Sequence, residues 1–144
     1  MTLAVCTDLI IAKGTKVSIG DKIASLSPTY TEIGMIESVG EFGPEATAGT
    51  FTPIGTGIAG KFMGTTDNGE LSLTIAKTTT DTGLVELIAA QKSDDPLAYQ
   101  IELSDGTAYV FNGLCKSVRT NVGSGDDAVK VTATIAITGS ITES

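Results

Sequence analysis

The sequence predicts a mainly β chain with one α-helix, and three observations predict it. There are 22 threonines and 17 glycines; β-branched side chains suit a pleated, half-buried surface, and glycines suit its turns and bulges. Two segments, Glu70 to Ala76 and Val129 to Thr138, alternate apolar and polar residues with period two. Between them, one stretch opens on a helix-capping signal and then spaces its apolar residues at helical intervals.

In chain order, residues 1–14 form an N-terminal arm with an apolar stretch from Leu3 to Ala12. Asp8 interrupts it, and no basic start precedes it, so it is not read as a signal peptide. Lys16 to Ile19 and Ile23 to Leu26 are expected to form a short hairpin about Gly20-Asp21. Glu32 to Phe42 reads as one long strand whose faces do not separate cleanly. Residues 42–68 read as a long loop. This stretch is rich in glycine and threonine, carries Pro44 and Pro53, and lacks a clear period, yet it holds Phe51, Ile54, Ile58, Phe62 and Met63. A structureless loop of this length is usually functional, and apolar groups on it point to a partner surface. The competing expectation is that the loop folds back over its own core.

The second half is more regular. Leu71, Leu73 and Ile75 point one way and Ser72 and Thr74 the other. Thr80-Asp81-Thr82 supplies N-cap oxygens for a helix over about residues 81–92, with Leu84, Leu87, Ile88 and Gln91 on one face. Asp95-Pro96 forbids its continuation. Leu97, Tyr99, Ile101 and Leu103 alternate as a strand, and Ser104-Asp105-Gly106-Thr107 is a tight turn. The return strand, about 107–121, contains Asn112-Gly113, where a bulge is expected. A polar turn over 122–127 leads to the last strand, in which Val129, Val131, Ala133, Ile135 and Ile137 share a face.

Composition removes several function classes. At 144 residues the chain suits one domain with a real core. It has no histidine, so it lacks the usual neutral-pH base and any histidine-based triad or zinc site. Nine basic residues, Arg119 the only arginine among them, stand against 17 acids, a net charge of −8. Such a chain does not clamp phosphates. No apolar run approaches the length of a membrane span, so no membrane binding is expected. Cys6 and Cys115 are expected to be two buried thiols in a reducing compartment, not a bridge.

The chemical motifs are weak. Gly55-Thr-Gly57-Ile-Ala-Gly60 spells a dinucleotide-binding pattern, but that pattern works between a strand and a helix, and neither neighbour here fits. The pairs Asp94-Asp95 and Asp126-Asp127 lack the alternating ligands of a calcium loop. Glu37 and Glu41 would share a strand face, with nothing nearby to set their pKa values apart. Cys115 has no neighbour that would lower its pKa. No catalytic residue, cofactor or metal site is expected.

Three stretches carry a resemblance. They are Phe51-Thr-Pro-Ile-Gly55 with Gly69-Glu-Leu-Ser-Leu-Thr-Ile75; then Tyr99-x-Ile101-x-Leu103-x-Asp105-Gly-Thr107 running on to Phe111-x-Gly113; then Val129-x-Val131 running on to Ile137-Thr-Gly139. Together they resemble the major tail protein, or tail tube protein, of long-tailed bacteriophages, over roughly Phe51 to Gly139. The resemblance implies a β-sandwich or barrel-like subunit, a single tail tube domain over residues 1–144, flanked by its helix. It implies rings of six copies that stack into a tube, the conduit for DNA ejection. Contractile-tail and type VI secretion tubes are related. Other implied partners are the tape measure, tail terminator and distal tail proteins. The implied location is the virion tail, assembled in the host bacterial cytoplasm, and DNA would pass without specific binding.

On that reading, Phe51, Ile54, Ile58, Phe62 and Met63 are candidate subunit or ring contacts, and the loop and N-terminal arm reach neighbouring copies. The acidic balance suggests a bore that repels phosphates, with Glu37, Glu41 and Asp126 as candidate lumen acids from strand and turn placement. The competing reading is a small β-sandwich binding module or virion surface (decoration) protein that recognises carbohydrate or a partner protein. Few aromatics and no tryptophan argue against sugar stacking.

Overall fold

Residues 9–143 are described by a computed structural model of the chain. Nine strands and one α-helix follow in order: β1 (Lys16–Gly20), β2 (Tyr30–Ile33), β3 (Ile36–Val39), β4 (Glu45–Phe51), β5 (Gly60–Asp67), β6 (Glu70–Ala76), α1 (Thr82–Ser93), β7 (Leu97–Glu102), β8 (Ala108–Asn121) and β9 (Lys130–Glu143). Seven strands form one antiparallel sheet in the order β2-β1-β7-β8-β9-β6-β3. The other two, β4 and β5, pair only with each other among the described residues.

The connection from β2 to β3 shapes the sheet. These strands lie at opposite borders, yet only Gly34 and Met35 separate them in the chain. Three peptide steps span at most about 11 Å, so the two borders must meet there and the sheet must roll up. It stays open, because β2 and β3 do not pair with each other. The rolled face collects the core: Val17 and Ile19; Ile33; Leu71, Leu73 and Ile75; Tyr99 and Ile101; Phe111; Val131, Ala133 and Ile135. Tyr99 stacks on Phe111 at 5.9 Å between ring centroids, and Phe42 meets Tyr109 edge-on at 5.2 Å.

Helix α1 packs against this core. Asp81 caps it by accepting from the Leu84 amide, and Asp94 ends it in the left-handed region at φ 63°. Its buried positions are Gly83, Leu84, Leu87 and Ala90. The face expected from spacing is thereby rotated, with Ile88 half-buried and Gln91 exposed. Gly83 is the reason. A Cβ there would sit 2.6 Å from the Ile33 Cα, so only glycine lets the helix rest directly on β2.

Four local expectations change. The partner of β1 is β2, not residues 23–26, which instead form one 3₁₀ turn over Ala24–Leu26. That turn is held over the sheet by the Ala24 amide donating to Asn112 Oδ1 at 2.7 Å. The single strand expected over 32–42 is broken at Gly34-Met35, where Met35 takes φ 56°. The break lets Ile33 and Ile36, of opposite parity, both face inward. The bulge expected at Asn112-Gly113 lies beside it, on the partner strand: the register slips between Val110 and Asn112 where β9 carries extra residues around Gly139, φ 79°. A second slip places Lys116 as the surplus residue of β8. Finally, the long loop expected over 42–68 is an ordered hairpin.

Candidate subunit interface

The hairpin is built from β4 and β5, whose register runs from Glu45 opposite Asp67 to Phe51 opposite Gly60. Directly opposed residues share a face. Phe62 therefore stands across from Gly49, its ring lying over the glycine, and Phe51 stands across from Gly60 on the same side. Met63 opposes Ala48 on the other side. The turn is fixed by the Gly57 amide donating to the Pro53 carbonyl at 2.9 Å, with Gly57 at φ 64°. The Gly55–Gly60 pattern thus forms a hairpin turn leading into a strand, and no helix follows it.

All five apolar residues singled out in the sequence lie on this hairpin and all are exposed, Ile54 completely and even the least exposed, Phe62, by 56%. They do not fold back over the core, so the expectation that this segment covers its own core is not met. Every residue of β5 is exposed, on both faces. An isolated two-stranded hairpin is marginal in water. This one displays two phenylalanines, two isoleucines and a methionine to solvent, an exposed apolar surface of the kind that marks interaction sites. A second apolar cluster, Leu9, Ile10 and Ile11, stands exposed at the end of the arm. The first eight residues of the arm, with Cys6, lie outside the described residues.

The three candidate lumen acids are not brought together. Glu37 lies in β3 and pairs with Lys130 at 2.9 Å. Glu41 falls beyond the end of β3, so the two glutamates do not share a strand face. Asp126 sits in the exposed turn between β8 and β9, a turn organised by Asp127, which accepts from the Ser124 amide at 3.1 Å and hydroxyl at 2.8 Å. Those bonds hold the Asp127 carboxyl below the usual carboxylate range. Lys130 is raised, chiefly by its hydrogen bond to Glu37.

Sequence reasoning missed the outward face of β3, β6, β9 and β8. Register and alternation put Ser38, Ser72, Thr74, Thr132 and Thr134 there. Its charged groups largely neutralise each other, Glu37 with Lys130 and Glu70 with Lys116 at 2.9 Å. The signal was present in Ser72, Thr74, Thr132 and Thr134, the hydroxyl residues alternating with the apolar ones of β6 and β9, but the strand order that aligns them was not legible. Among the described residues this face is flanked by open strand edge: past Gly113, β8 has only β9 as a strand neighbour, and past Ala136, β9 has only β8, with Ile137 still donating to the Gly69 carbonyl and Asn68 Nδ2 to the Gly139 carbonyl.

Cys115 is buried, and desolvation pushes its thiol up to about 11, the reverse of an activated nucleophile. Among the described residues no group of three or more cysteine or acidic side chains is placed to hold a metal ion, and no helix is long and apolar enough to cross a membrane.

Comparison with known proteins fits this geometry. The model of a family described as "Lambda phage tail tube protein, TTP" matches residues 15–144. No curated protein is significantly similar in sequence. Among solved structures, the fold is similar to a chain of the PVC sheath/tube terminator of an extracellular contractile injection system, at TM-score 0.74 and 14% identity, covering 97% of this chain and 99% of that one. It is similar to a chain of the native gene transfer agent virion, at TM-score 0.72 and 13% identity, covering 94% and 99%. It is also similar to the SPP1 tail tube, at TM-score 0.67 and 12% identity, covering 94% and 78%.

Proposed function

The chain belongs to the lambda phage tail tube protein family, and on that premise we propose that copies of it build the tube of a phage tail, in rings of six stacked into the conduit for DNA ejection. The observation that carries this is the β4–β5 hairpin, whose apolar side chains stay more than half exposed among the described residues. The open edges of β8 and β9 offer a second means of joining, since an unpaired strand edge is a template for another chain. A contact between two different surfaces of like copies propagates instead of closing on a pair. The role requires no cofactor and no chemistry.

In this arrangement the arm, residues 1–14, and the hairpin within 42–68 reach neighbouring copies, and Phe51, Ile54, Ile58, Phe62 and Met63 make the contacts. Tape measure, terminator and distal tail proteins bound the tube, in virion tails assembled in the host cytoplasm. Of the proposed lumen acids, Glu41 and Asp126 make no ion pair among the described residues, whereas Glu37 is compensated. DNA passes without specific binding.

The test is size-exclusion chromatography and negative-stain microscopy of the purified chain, with tube fragments as seeds. Rings or tubes are expected. Replacing residues 52–59 by Asn-Gly should leave a folded subunit that does not polymerise. A native chain that stays monomeric under seeding would overturn the reading, as would tubes that grow without the hairpin tip.

A further inference from the structure

We infer that the tip of the β4–β5 hairpin of one copy seats in an apolar groove between the N-terminal arm and β3 of another copy. The inference rests on the assembly reading above and names the receiving surface.

The groove measures about 380 Å³ and is lined by Ile10 and Ile11 of the arm, Ile36 and Val39 of β3, Phe42 and Leu103. Its arm wall is held by the Ser104 hydroxyl donating to the Ile11 carbonyl at 3.0 Å. Although they border the groove, Ile10 and Ile11 remain more than half exposed. Socket and knob are therefore both apolar, and both lack cover among the described residues.

Reach decides whose knob enters. Phe42 lines the groove and stands three residues before the start of β4. At about 3.3 Å per residue, strands of this length carry Ile54 and Ile58 roughly 25 Å from the root. The tip cannot return to the groove beside its own root. A second copy must supply it, and the offset repeats from copy to copy, which is the geometry of a propagating contact.

Charge agrees in sign. Lys61, next to the tip, is the only basic residue between Glu41 and Glu70. One uncompensated acid stands at the groove's border: Glu41 directly precedes Phe42, whereas Glu37, which lines the groove, is already paired with Lys130. A tip entering the groove brings Lys61 to the acidic border.

Complementation tests the contact without requiring complete tubes. A knob variant carries Ile54→Asp and Ile58→Asp; a socket variant carries Ile10→Asp and Ile11→Asp. All four positions are exposed, so both subunits should melt cooperatively near the parent temperature. Each alone should self-associate at least ~100-fold more weakly than the parent, because an unpaired carboxylate enters an apolar contact. Mixed one to one, they should associate with each other far more strongly than either does with itself, in equal numbers and without continuous tubes, since each pair restores one intact knob in one intact socket. A mixture that stays monomeric while the parent polymerises would overturn the inference and leave the tube reading standing.

A second measurement is disulfide trapping in a Cys6→Ser, Cys115→Ala background. Ile54→Cys with Leu103→Cys should give a ladder of multimers on oxidation, and Ile54→Cys with Thr132→Cys should not. Microscopic tubes without a ladder overturn the socket alone. A monomeric crosslinked species, or a groove closed instead by the chain's own residues 1–8, so that deleting them strengthens association, also overturns it. Failure of the parent to assemble under any condition sinks the tube reading instead.

Discussion

Asp81 ties the start of the helix to the seam of the sheet: its Oδ1 accepts from the Leu84 amide at 3.2 Å and from the Gly34 amide at 3.3 Å. One oxygen thus serves both a helix cap and the two-residue link between the borders. Asp81→Ala should lower stability by about 1–2 kcal/mol, the usual cost of a lost cap with its orphaned amides. Asp81→Asn keeps the accepting oxygen and should recover most of that loss. Thermal unfolding followed by circular dichroism checks both; equal losses would show that the cap geometry is not what matters.

Gly83→Ala should destabilise although alanine is the better helix former. Propensity alone favours the change by about 1 kcal/mol. The added methyl would collide with the backbone of Glu32 and Ile33, which cannot yield as a side chain would, and overpacking of this kind costs about 1–3 kcal/mol. Gly125→Ala, where a Cβ meets nothing within 4 Å, is the neutral control. Chemical denaturation midpoints compare the two.

Hydrogen exchange should divide the chain. Amides of β6 and of β9 from Val131 to Ala136, where the inward residues are almost wholly buried and the strands pair, should exchange only with global unfolding. Amides of β4 and β5 should exchange fast in the free subunit and slow sharply on assembly. Slow exchange of the hairpin in a verified monomer would mean that it is covered by its own chain.

In a Cys6→Ser background, Cys115 should resist thiol reagents in the native state and react rapidly once unfolded. Its thiol ionises near 9 when exposed and near 11 in the fold. Between these values the unfolded chain loses the proton first, so this residue makes stability fall as pH rises from about 9 to 11. Cys115→Ala should flatten that slope; an unchanged slope would assign it to other groups. Lys130, raised by its bond to Glu37, contributes in the same direction at still higher pH.

Reversing Glu41 and Asp126 to lysine should slow or block DNA release from assembled particles, because a cationic bore holds phosphates. Release kinetics at low and high salt give the measurement. Unchanged ejection would remove these two acids from the bore.

Much of this fold was legible where one side of a strand is buried and the other wet. Leu71, Leu73 and Ile75 against Ser72 and Thr74 could be nothing else, and Asp81 announced the helix. Legibility failed where burial did not impose a period. The β4–β5 hairpin is exposed on both faces, so its residues carry no alternation and read as a loop. Between Ile33 and Ile36, a kink of two residues hides the switch from one border of the sheet to the other. The exposure of the apolar hairpin residues was legible, because phenylalanine and isoleucine between glycines suit neither a core strand nor an ordinary loop. The groove was not recognisable, since its walls come from residues some 90 positions apart.

The hydroxyl-bearing face of β3, β6, β9 and β8 has a mechanical meaning if it borders the passage. Short serine and threonine side chains bind water evenly, Lys116 and Lys130 are each tied to a glutamate, and Arg119, opposite Thr132, is the one cation of that face left without an acid partner among the described residues to grip a moving polyanion. A strand drawn past it would shear a lubricating film of solvent, and friction would depend little on the sequence of the cargo.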